Sequence, residues 1–288
     1  MIIQSVKKTR AFVAKLLPKP CKEAIKIFYW KITNNYLTNK PLGSKDKYLQ
    51  IFSEAKKYSF PNIDNYILKN NFKNIDLDFF NNLALITQVS IKKSKINYQH
   101  GRILYALIDN YISKNKNKNK NDKYNFLDIG TAKGFSSIVI SKAATDNSVD
   151  YEIQTYDIVP HNKPIYWNSI LDIDGKKTRE ELLEQYSSYT KQINYFSGRT
   201  KTFFKKLNTK RINFAFVDGS HDYDDVIFEY KHIKTRQEAG DIIMFDDVTP
   251  NHFNGIVKLV GEITDESKYN IELLMSSDYR GYAIATKK

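Results

Sequence analysis

A chain of 288 residues is long enough for one full α/β domain with an appendage, or for two small domains. Hydrophobic residues make up 41% and aromatic residues 14% of the sequence, enough for a sizeable core, which excludes global disorder. The single cysteine, Cys21, excludes an intramolecular disulfide framework and a cysteine-based zinc cluster. This composition fits a globular protein in a reducing compartment.

The net charge of +13 comes from 45 Lys and Arg residues against 32 Asp and Glu residues. A basic surface favours anionic partners such as nucleic acid, a membrane surface or acidic glycans, although a solvated Lys-rich surface explains the charge more simply. No apolar run reaches the roughly 18 residues that a membrane span needs, and Lys recurs too often near the start for a signal-peptide core. We therefore predict a cytoplasmic protein and leave peripheral contact with the inner membrane surface open.

The first 32 residues mix Lys with apolar residues at near-helical spacing, which is broken at Pro18 and Pro20. Such a segment could lie on an anionic membrane surface with Phe12, Leu16 and Leu17 facing inward. Docking on its own domain, or on a second copy in a homo-oligomer, stays open.

Two further segments precede the region of short strands. Residues 40–100 are predicted to be mostly helical, with "DLDFFNNLALI" as an amphipathic helix. The run "SKNKNKNKNDK" at 113–123 is low in complexity and highly charged, which predicts a surface loop and not a domain linker.

From residue 124 onward, short apolar runs alternate with helical patterns. Strands that alternate with helix-length segments predict βαβ units and a parallel sheet. We expect a Rossmann-like, doubly wound, mostly parallel seven-stranded sheet with helices on both faces. The seven runs are "YNFLDIG", "YEIQTYD", "INYFSG", "INFAFVDG", "DIIMFDD", "IELLMS" and "GYAIATK".

One long connection, residues 160–180, fits neither the helical nor the strand period and carries His161, Tyr166 and Trp167. Connections of this length often cover an active site. A packed insertion explains the same residues equally well, so both interpretations stay open.

The segment "FLDIGTAKGFSS" places a strand before Asp128, Gly130 and Gly134, and a helix begins near Phe135. The glycines allow a tight turn and close approach of a ligand, while the helix start offers free N–H groups. Asp157, which closes the next strand, suits a ribose diol because one carboxylate can accept from both hydroxyls. The spacing D-x-G-x-x-x-G differs from the G-x-G-x-x-G of most NAD-binding folds. A nucleoside site is therefore predicted, with a purely structural strand–turn–helix as the alternative.

Residues 124–288 resemble the class I S-adenosylmethionine-dependent methyltransferases, and the closing "GYAIATKK" resembles the last antiparallel strand of that family. The resemblance implies a methyltransferase domain at 101–288, preceded by a helical N-terminal extension at 1–100 that is a membrane-surface, oligomer or substrate-pocket element. It also implies a site for the methionine, ribose and adenine parts of S-adenosylmethionine. The implied cofactor residues are Asp128, Gly130, Thr131, Gly134, Ser136, Asp157, Gly198 and Thr200, with His100 and Gly101 as lesser candidates.

Acidic residues close two further strands, Asp218 in "FVDGSHDYDDV" and Asp246 with Asp247 in "FDDV". Adjacent parallel strands lie roughly 4.8 Å apart, so acids at equivalent carboxyl ends can meet across one ion. Three carboxylates together repel one another unless a cation or a proton neutralises them. An oxygen-only set suits Mg²⁺ or a similar divalent cation. A helix start is expected at Asp222, Asp224 and Asp225. Their negative charges interact favourably with the helix dipole there, and we expect them to bind no metal.

The sequence Asp-Gly-Ser-His, followed by Asp-Asp, resembles the metal site of cation-dependent O-methyltransferases. Catechol-type enzymes end in Asp-Asn and carry Lys where His221 stands here, so the chain is more similar to the macrocin O-methyltransferase-like branch, which modifies sugar hydroxyls. The resemblance implies that Asp218, Asp246 and Asp247 bind the metal and that His221 is the general base. An imidazole near a polarised hydroxyl can accept its proton.

Three hypotheses follow. The first is a metal-dependent O-methyltransferase that acts on a sugar or glycoconjugate hydroxyl. The second is a methyltransferase acting on RNA or another polyanion, which the absence of an Asn/Asp-Pro-Pro-aromatic motif and of a recognisable RNA-binding module disfavours. The third is a non-catalytic membrane-surface or assembly module, which does not require Asp218, His221, Asp246 and Asp247 together.

Overall fold

The computed structural model describes residues 39–116, 123–204, 209–277 and 280–288. The predicted amphipathic segment with Phe12, Leu16 and Leu17 lies outside the described residues, as do residues 117–122 of the low-complexity run. None of the helices in the described part of the chain is both long enough and apolar enough to cross a bilayer.

Four helices come before the first strand of the described chain. The predicted helix "DLDFFNNLALI" is confirmed, since its residues from Leu77 onward are helical and Asp76 caps it by accepting from the backbone N–H of Phe79 at 2.7 Å. The four are α1 Lys45–Lys56, α2 Pro61–Lys69, α3 Leu77–Thr87 and α4 His100–Asn115.

The described strands are β1 Tyr124–Ile129, β2 Tyr151–Asp157, β3 Ile193–Ser197, β4 Phe214–Val217, β5 Ile242–Phe245, β6 Tyr269–Ser277 and β7 Arg280–Lys287. They form one seven-stranded sheet in the order β3-β2-β1-β4-β5-β7-β6. The first five strands pair in parallel, and β7 runs antiparallel to both β5 and β6. All seven predicted runs are strands, which confirms the predicted sheet.

Helices cover both faces of this sheet, because successive residues of each strand point to opposite sides and both sides are apolar. Phe126 of β1 packs into a core that also contains Phe80 of α3, whereas the neighbouring Leu127 packs into the core on the other face. The remaining helices are α5 Phe135–Asp146, α6 Arg179–Leu182, α7 Ser187–Thr190, α8 Thr200–Phe203, α9 Tyr223–Lys234 and α10 Asn254–Asp265. As expected, α9 starts beside Asp222, with Asp224 and Asp225 in its first turn.

The register of the parallel strands brings their carboxyl ends to one edge of the sheet. Ile129 of β1 lies opposite Tyr156 of β2 and Val217 of β4, and Val217 lies opposite Phe245 of β5. The residues that follow these strands therefore emerge side by side, where open α/β sheets bind their ligands.

The long connection at residues 160–180 is packed against the helices at the start of the described chain. Trp167 is fully buried, and its indole N–H donates to the carbonyl of Lys177 at 2.7 Å. The side-chain oxygen of Asn168 accepts from the Tyr48 hydroxyl at 3.1 Å and from the backbone N–H of Ile91 at 2.9 Å. These contacts support the packed-insertion interpretation.

Candidate active site

A cavity of about 590 Å³ opens at the carboxyl edge of the sheet. Its volume falls in the range of small-molecule sites. The walls come from the residues that follow β1, β2, β3 and β4. Among the predicted cofactor residues, those that line the cavity are Gly130, Asp157, Gly198 and Thr200.

The turn after β1 passes against the backbone that follows β4. Gly130 has a φ of 101°, and a Cβ at this position would lie 2.1 Å from the carbonyl oxygen of Asp218. Only glycine combines that backbone conformation with so close an approach. Ala132 in the same turn also has a positive φ, 44°, and its backbone N–H donates to Asp157 Oδ2 at 2.6 Å.

Asp157 stands at the end of β2 on the cavity wall. Its other oxygen, Oδ1, accepts from the backbone N–H of Val159 at 2.7 Å. Burial raises the pKa of Asp157 above its ordinary value, although these two backbone donors and Arg179 oppose the shift. A carboxylate offers about four acceptor positions, so two amide donors leave room for the hydroxyls of a ribose.

Asp128 lies beneath the turn, fully buried, and is not on the cavity wall. It accepts hydrogen bonds from the hydroxyls of Ser136 at 2.9 Å and Thr155 at 3.1 Å, and from Ser137. Burial raises its pKa. Thr131, Gly134 and Ser136 also lie off the cavity wall. The structure therefore places these four predicted cofactor residues where they support the turn.

His100 and Gly101 lie at the start of α4, in the core behind the turn. The His100 ring stacks on Phe216 with a centroid distance of 5.8 Å, and burial lowers the pKa of His100 to about 3. A Cβ on Gly101 would lie 2.7 Å from the rings of Phe80 and Phe135. Neither residue lines the cavity, so the structure brings them to the packing behind the site and not to its surface.

Three of the other predicted residues meet at the opposite end of the cavity. Side-chain ligand atoms of Asp218, His221 and Asp247 lie within 4.8 Å of one another, and His221 Nε2 is 3.0 Å from Asp247 Oδ2. Asp218 and His221 also line the cavity. Burial, and then the neighbouring charge of Asp246, raise the pKa of Asp218 well above its ordinary value. The cluster favours a bound cation or proton.

Asp246 is not part of this cluster, in contrast to the predicted set of three carboxylates. Its Oδ1 accepts from Arg280 Nε at 2.9 Å and its Oδ2 from Arg280 Nη2, so the pair is bidentate. Burial alone would raise the pKa of Asp246, but Arg280 outweighs it and holds the pKa below its ordinary value. Asp247 has a φ of 55°, and this left-handed turn separates the two adjacent carboxylates.

Residues 127–248 match a family model that is described as a methyltransferase domain. This segment of the chain is similar to methyltransferase domains. The matched segment spans the glycine turn, Asp157, and the strands that Asp218 and Asp246 directly follow. A search of the curated proteins finds no match.

Solved structures share the fold of this chain at low sequence identity. An O-methyltransferase from Bacillus cereus in complex with SAH is 16% identical, over 83% of this chain and 96% of that one, with a TM-score of 0.50. The O-methyltransferase TomG from Streptomyces achromogenes, in complex with SAM, is 14% identical over 77% and 95%, with a TM-score of 0.52. The O-methyltransferase NovP is 12% identical over 74% and 98%, with a TM-score of 0.51. The predicted Rossmann-like methyltransferase fold is confirmed.

Among the residues at the candidate site, Arg280 and Glu229 were not predicted from the sequence. The sequence does contain a signal for Arg280. This residue begins β7, which pairs antiparallel with β5, and Asp246 directly follows β5. Glu229 stands in the middle of α9 among charged residues and resembles an ordinary surface residue in the sequence. In the structure it is only 2% exposed and lines the cavity.

Proposed function

We propose that the protein is an S-adenosylmethionine-dependent, divalent-metal-dependent O-methyltransferase that acts on a sugar or glycoconjugate hydroxyl. The observation that carries this proposal is one cavity with two kinds of wall. Gly130 and Asp157 form the part that suits a nucleoside, and Asp218 and His221 form the part that suits a polar acceptor. A methyl donor and an acceptor hydroxyl bound in this cavity would meet at the acidic cluster.

The cofactor part of the proposal rests on groups already turned toward the cavity. Asp157 would accept from the ribose hydroxyls, and the backbone of the turn at Gly130 would approach the methionine end. Thr200 would border the adenine. The O-methyltransferases from Bacillus cereus and Streptomyces achromogenes named above are complexes with SAH and SAM, which supports the same ligand here.

The acidic cluster fits a divalent cation. Arg280 already balances Asp246, so Asp218 and Asp247 are the carboxylates left to hold a metal. Two carboxylates suit Mg²⁺ or Mn²⁺. When bound, the cation would act as a Lewis acid beside the acceptor hydroxyl.

His221 would be the general base of the reaction. Its Nε2 would take the hydroxyl proton while the oxygen attacks the sulfonium methyl, the C–S bond breaks and S-adenosylhomocysteine leaves. Asp247, 3.0 Å from Nε2, would stabilise the imidazolium. Gly255 of α10 fixes the position of this residue, since a Cβ there would lie 2.2 Å from the His221 carbonyl oxygen. The remaining task is in-line positioning of donor and acceptor.

Two competing proposals differ in their partner. The net charge of +13 favours RNA or another polyanion as the methyl acceptor, and a non-catalytic role at an anionic membrane surface would use the basic residues near the start of the chain. A cytoplasmic location, with contact at the inner membrane surface, belongs to our proposal as well.

Calorimetric titration of S-adenosylmethionine into the protein, with and without Mn²⁺ or Mg²⁺, tests the proposal first. We expect binding that Asp157→Ala abolishes and that the control Asp174→Ala, at an exposed acid, leaves intact. Labelled methyl transfer should then be measured on nucleotide sugars and on RNA, with and without a chelator. Sugar labelling that stops with chelator and returns with metal supports the proposal. Absence of cofactor binding contradicts it, chelator-resistant labelling refutes the metal, and labelling of RNA alone favours the competing acceptor.

A further inference from the structure

The cavity continues beyond Asp157 to a wall built by α8 and α9. Thr200 and Lys201 of α8 line it, together with Asp225 and Glu229 of α9. If a ribose binds at Asp157, as the proposed function requires, its base must extend along the carboxyl edge of the sheet toward this wall. The residues at this end therefore decide which base fits, and the inference rests on the proposed cofactor.

Glu229 is the buried acid of that wall, with 2% of its surface exposed. Its Oε1 accepts from the Thr200 hydroxyl at 2.7 Å, which fixes the orientation of the carboxyl group. Its Oε2 is buried and has no hydrogen-bond partner among the described residues. A buried polar atom without a partner is uncommon in native proteins and indicates that a ligand or water completes the site.

The charged groups that face Glu229 are Lys201 and Asp225, and they are paired with each other. Asp225 Oδ2 also accepts from the Ser220 hydroxyl at 2.9 Å. Neither residue makes a hydrogen bond to Glu229 Oε2. The free oxygen is therefore an acceptor held in place at the base end of the cavity.

We propose that Glu229 is the specificity-determining residue for the base of the cofactor, with Oε2 accepting a hydrogen bond from the 6-amino group of adenine. The ligand class is a 6-aminopurine nucleoside. A purine without that amino group would leave the buried carboxyl unpaired, and sites built to hydrogen-bond a ligand group reject analogues that lack it. Thr200 is the positioning residue for this contact.

The test compares two ligands by calorimetry, S-adenosylhomocysteine and its analogue without the 6-amino group. Their affinity ratio cancels every contact that they share. We expect the wild-type protein to favour the amino compound by roughly tenfold or more. Glu229→Leu should bring the ratio close to one, and Asp224→Asn, at an exposed acid of the same helix, should keep the wild-type ratio.

Glu229→Gln keeps a carbonyl acceptor without an ionisable group, so it should retain most of the preference at pH 7. Burial raises the pKa of Glu229 to about 8, and a carboxylate is the stronger acceptor. The wild-type ratio should therefore rise between pH 7 and pH 9, while the Gln variant stays flat. This profile tests the proposal even if the Leu variant does not fold.

Two results would overturn the proposal: an unchanged ratio in Glu229→Leu, or a wild-type ratio near one. Failure of the wild-type protein to bind S-adenosylhomocysteine would contradict the proposed function itself, so the two failures are distinguishable.

Discussion

The two ends of the cavity differ in whether the protein itself supplies hydrogen-bond donors to their charged groups. At the cofactor end, Asp128 is surrounded by hydroxyl donors and Asp157 accepts from two backbone amides. At the acidic end, Asp218 lies half-buried near a second carboxylate. His221 Nε2 makes no well-oriented hydrogen bond to the described residues, although Asp247 is near. The first end is preorganised by the protein itself, whereas the second is completed by something that the protein must bind.

The two ends are nevertheless in direct contact. The turn at Gly130 lies against the backbone of Asp218, and β1 and β4 are adjacent strands. A change at one end that moves the backbone must therefore disturb the other. A change confined to a side chain should not, and this difference gives ways to separate the two ends.

The largest effect is expected when the base of the acidic end is removed. His221→Ala should lower the turnover of methyl transfer by roughly 10²- to 10⁴-fold, the usual contribution of a general base. The affinity for S-adenosylmethionine, measured by calorimetry, should stay unchanged because the cofactor contacts lie at the other end. Asp157→Ala should have the opposite effect, because its main loss is in the affinity for S-adenosylmethionine.

The control for the first change is His252→Ala, at an exposed histidine that does not line the cavity. It should leave both the turnover of methyl transfer and the affinity for S-adenosylmethionine unchanged. Equal turnover in His221→Ala and the wild-type protein would remove His221 as the base. A strong loss of Mn²⁺ affinity in this variant would instead assign His221 to the metal.

The next effect concerns the ion pair Asp246–Arg280 at the acidic end, whose two charges neutralise each other. Asp246 is fully buried, so Arg280→Met leaves an unpaired buried carboxylate and should destabilise the fold by about 4 kcal/mol in urea unfolding. The double variant Arg280→Met/Asp246→Leu should recover most of this loss, because neither charge remains. Glu54→Gln, in an exposed pair with Lys57, should change stability by less than about 1 kcal/mol. A small effect of Arg280→Met would show that Asp246 is not held by this pair.

The fold could be predicted because its signals are local. Each buried strand is a short apolar run, helices separate the parallel ones, and an acid or glycine follows each strand that ends at the site. The register of adjacent parallel strands then brings Asp157, Asp218 and Asp247 to one edge. Asp157, Asp218 and His221 were therefore predicted as site residues and do lie on the cavity wall.

The spacing of the sequence could not predict that the side chains of Asp246 and Asp247 have different partners. It depends on the left-handed backbone of Asp247 and on Arg280, which reaches Asp246 only after the antiparallel β7 has paired with β5. Asp128 and Ser136 lie beneath the turn for a similar reason, since a motif does not state which side chains point inward. Glu229 is buried in a tertiary contact where its carboxyl accepts from Thr200 of α8. Each of these outcomes is set by tertiary packing.

A change at the contact between the two ends should disturb both of them. Gly130→Ala places a side chain on a φ of 101° and a Cβ 2.1 Å from the Asp218 carbonyl oxygen. Strain and overpacking together should destabilise the fold by about 3 kcal/mol in urea unfolding and weaken cofactor binding as well. Gly261→Ala in α10, where a Cβ meets no atom within 4 Å, should be neutral or slightly stabilising. Unchanged stability in Gly130→Ala would mean that the ends are not coupled through this contact.

The smallest effect concerns Glu229, the buried acid at the cofactor end that has an unpaired oxygen. The folded protein holds its proton up to a pKa of about 8, whereas the unfolded carboxyl releases it near its ordinary 4.5. Between these values the unfolded state binds fewer protons, so this carboxyl favours folding less as the pH rises from about 5 to 8. Glu229→Gln removes that linkage and should gain on the order of 2 kcal/mol relative to the wild-type protein between pH 5 and pH 9. Urea unfolding at both pH values measures the gain, and Asp224→Asn should show none. If the stability difference between Glu229→Gln and the wild-type protein is the same at both pH values, the Glu229 carboxyl lies in a wetter site than the cavity wall described here.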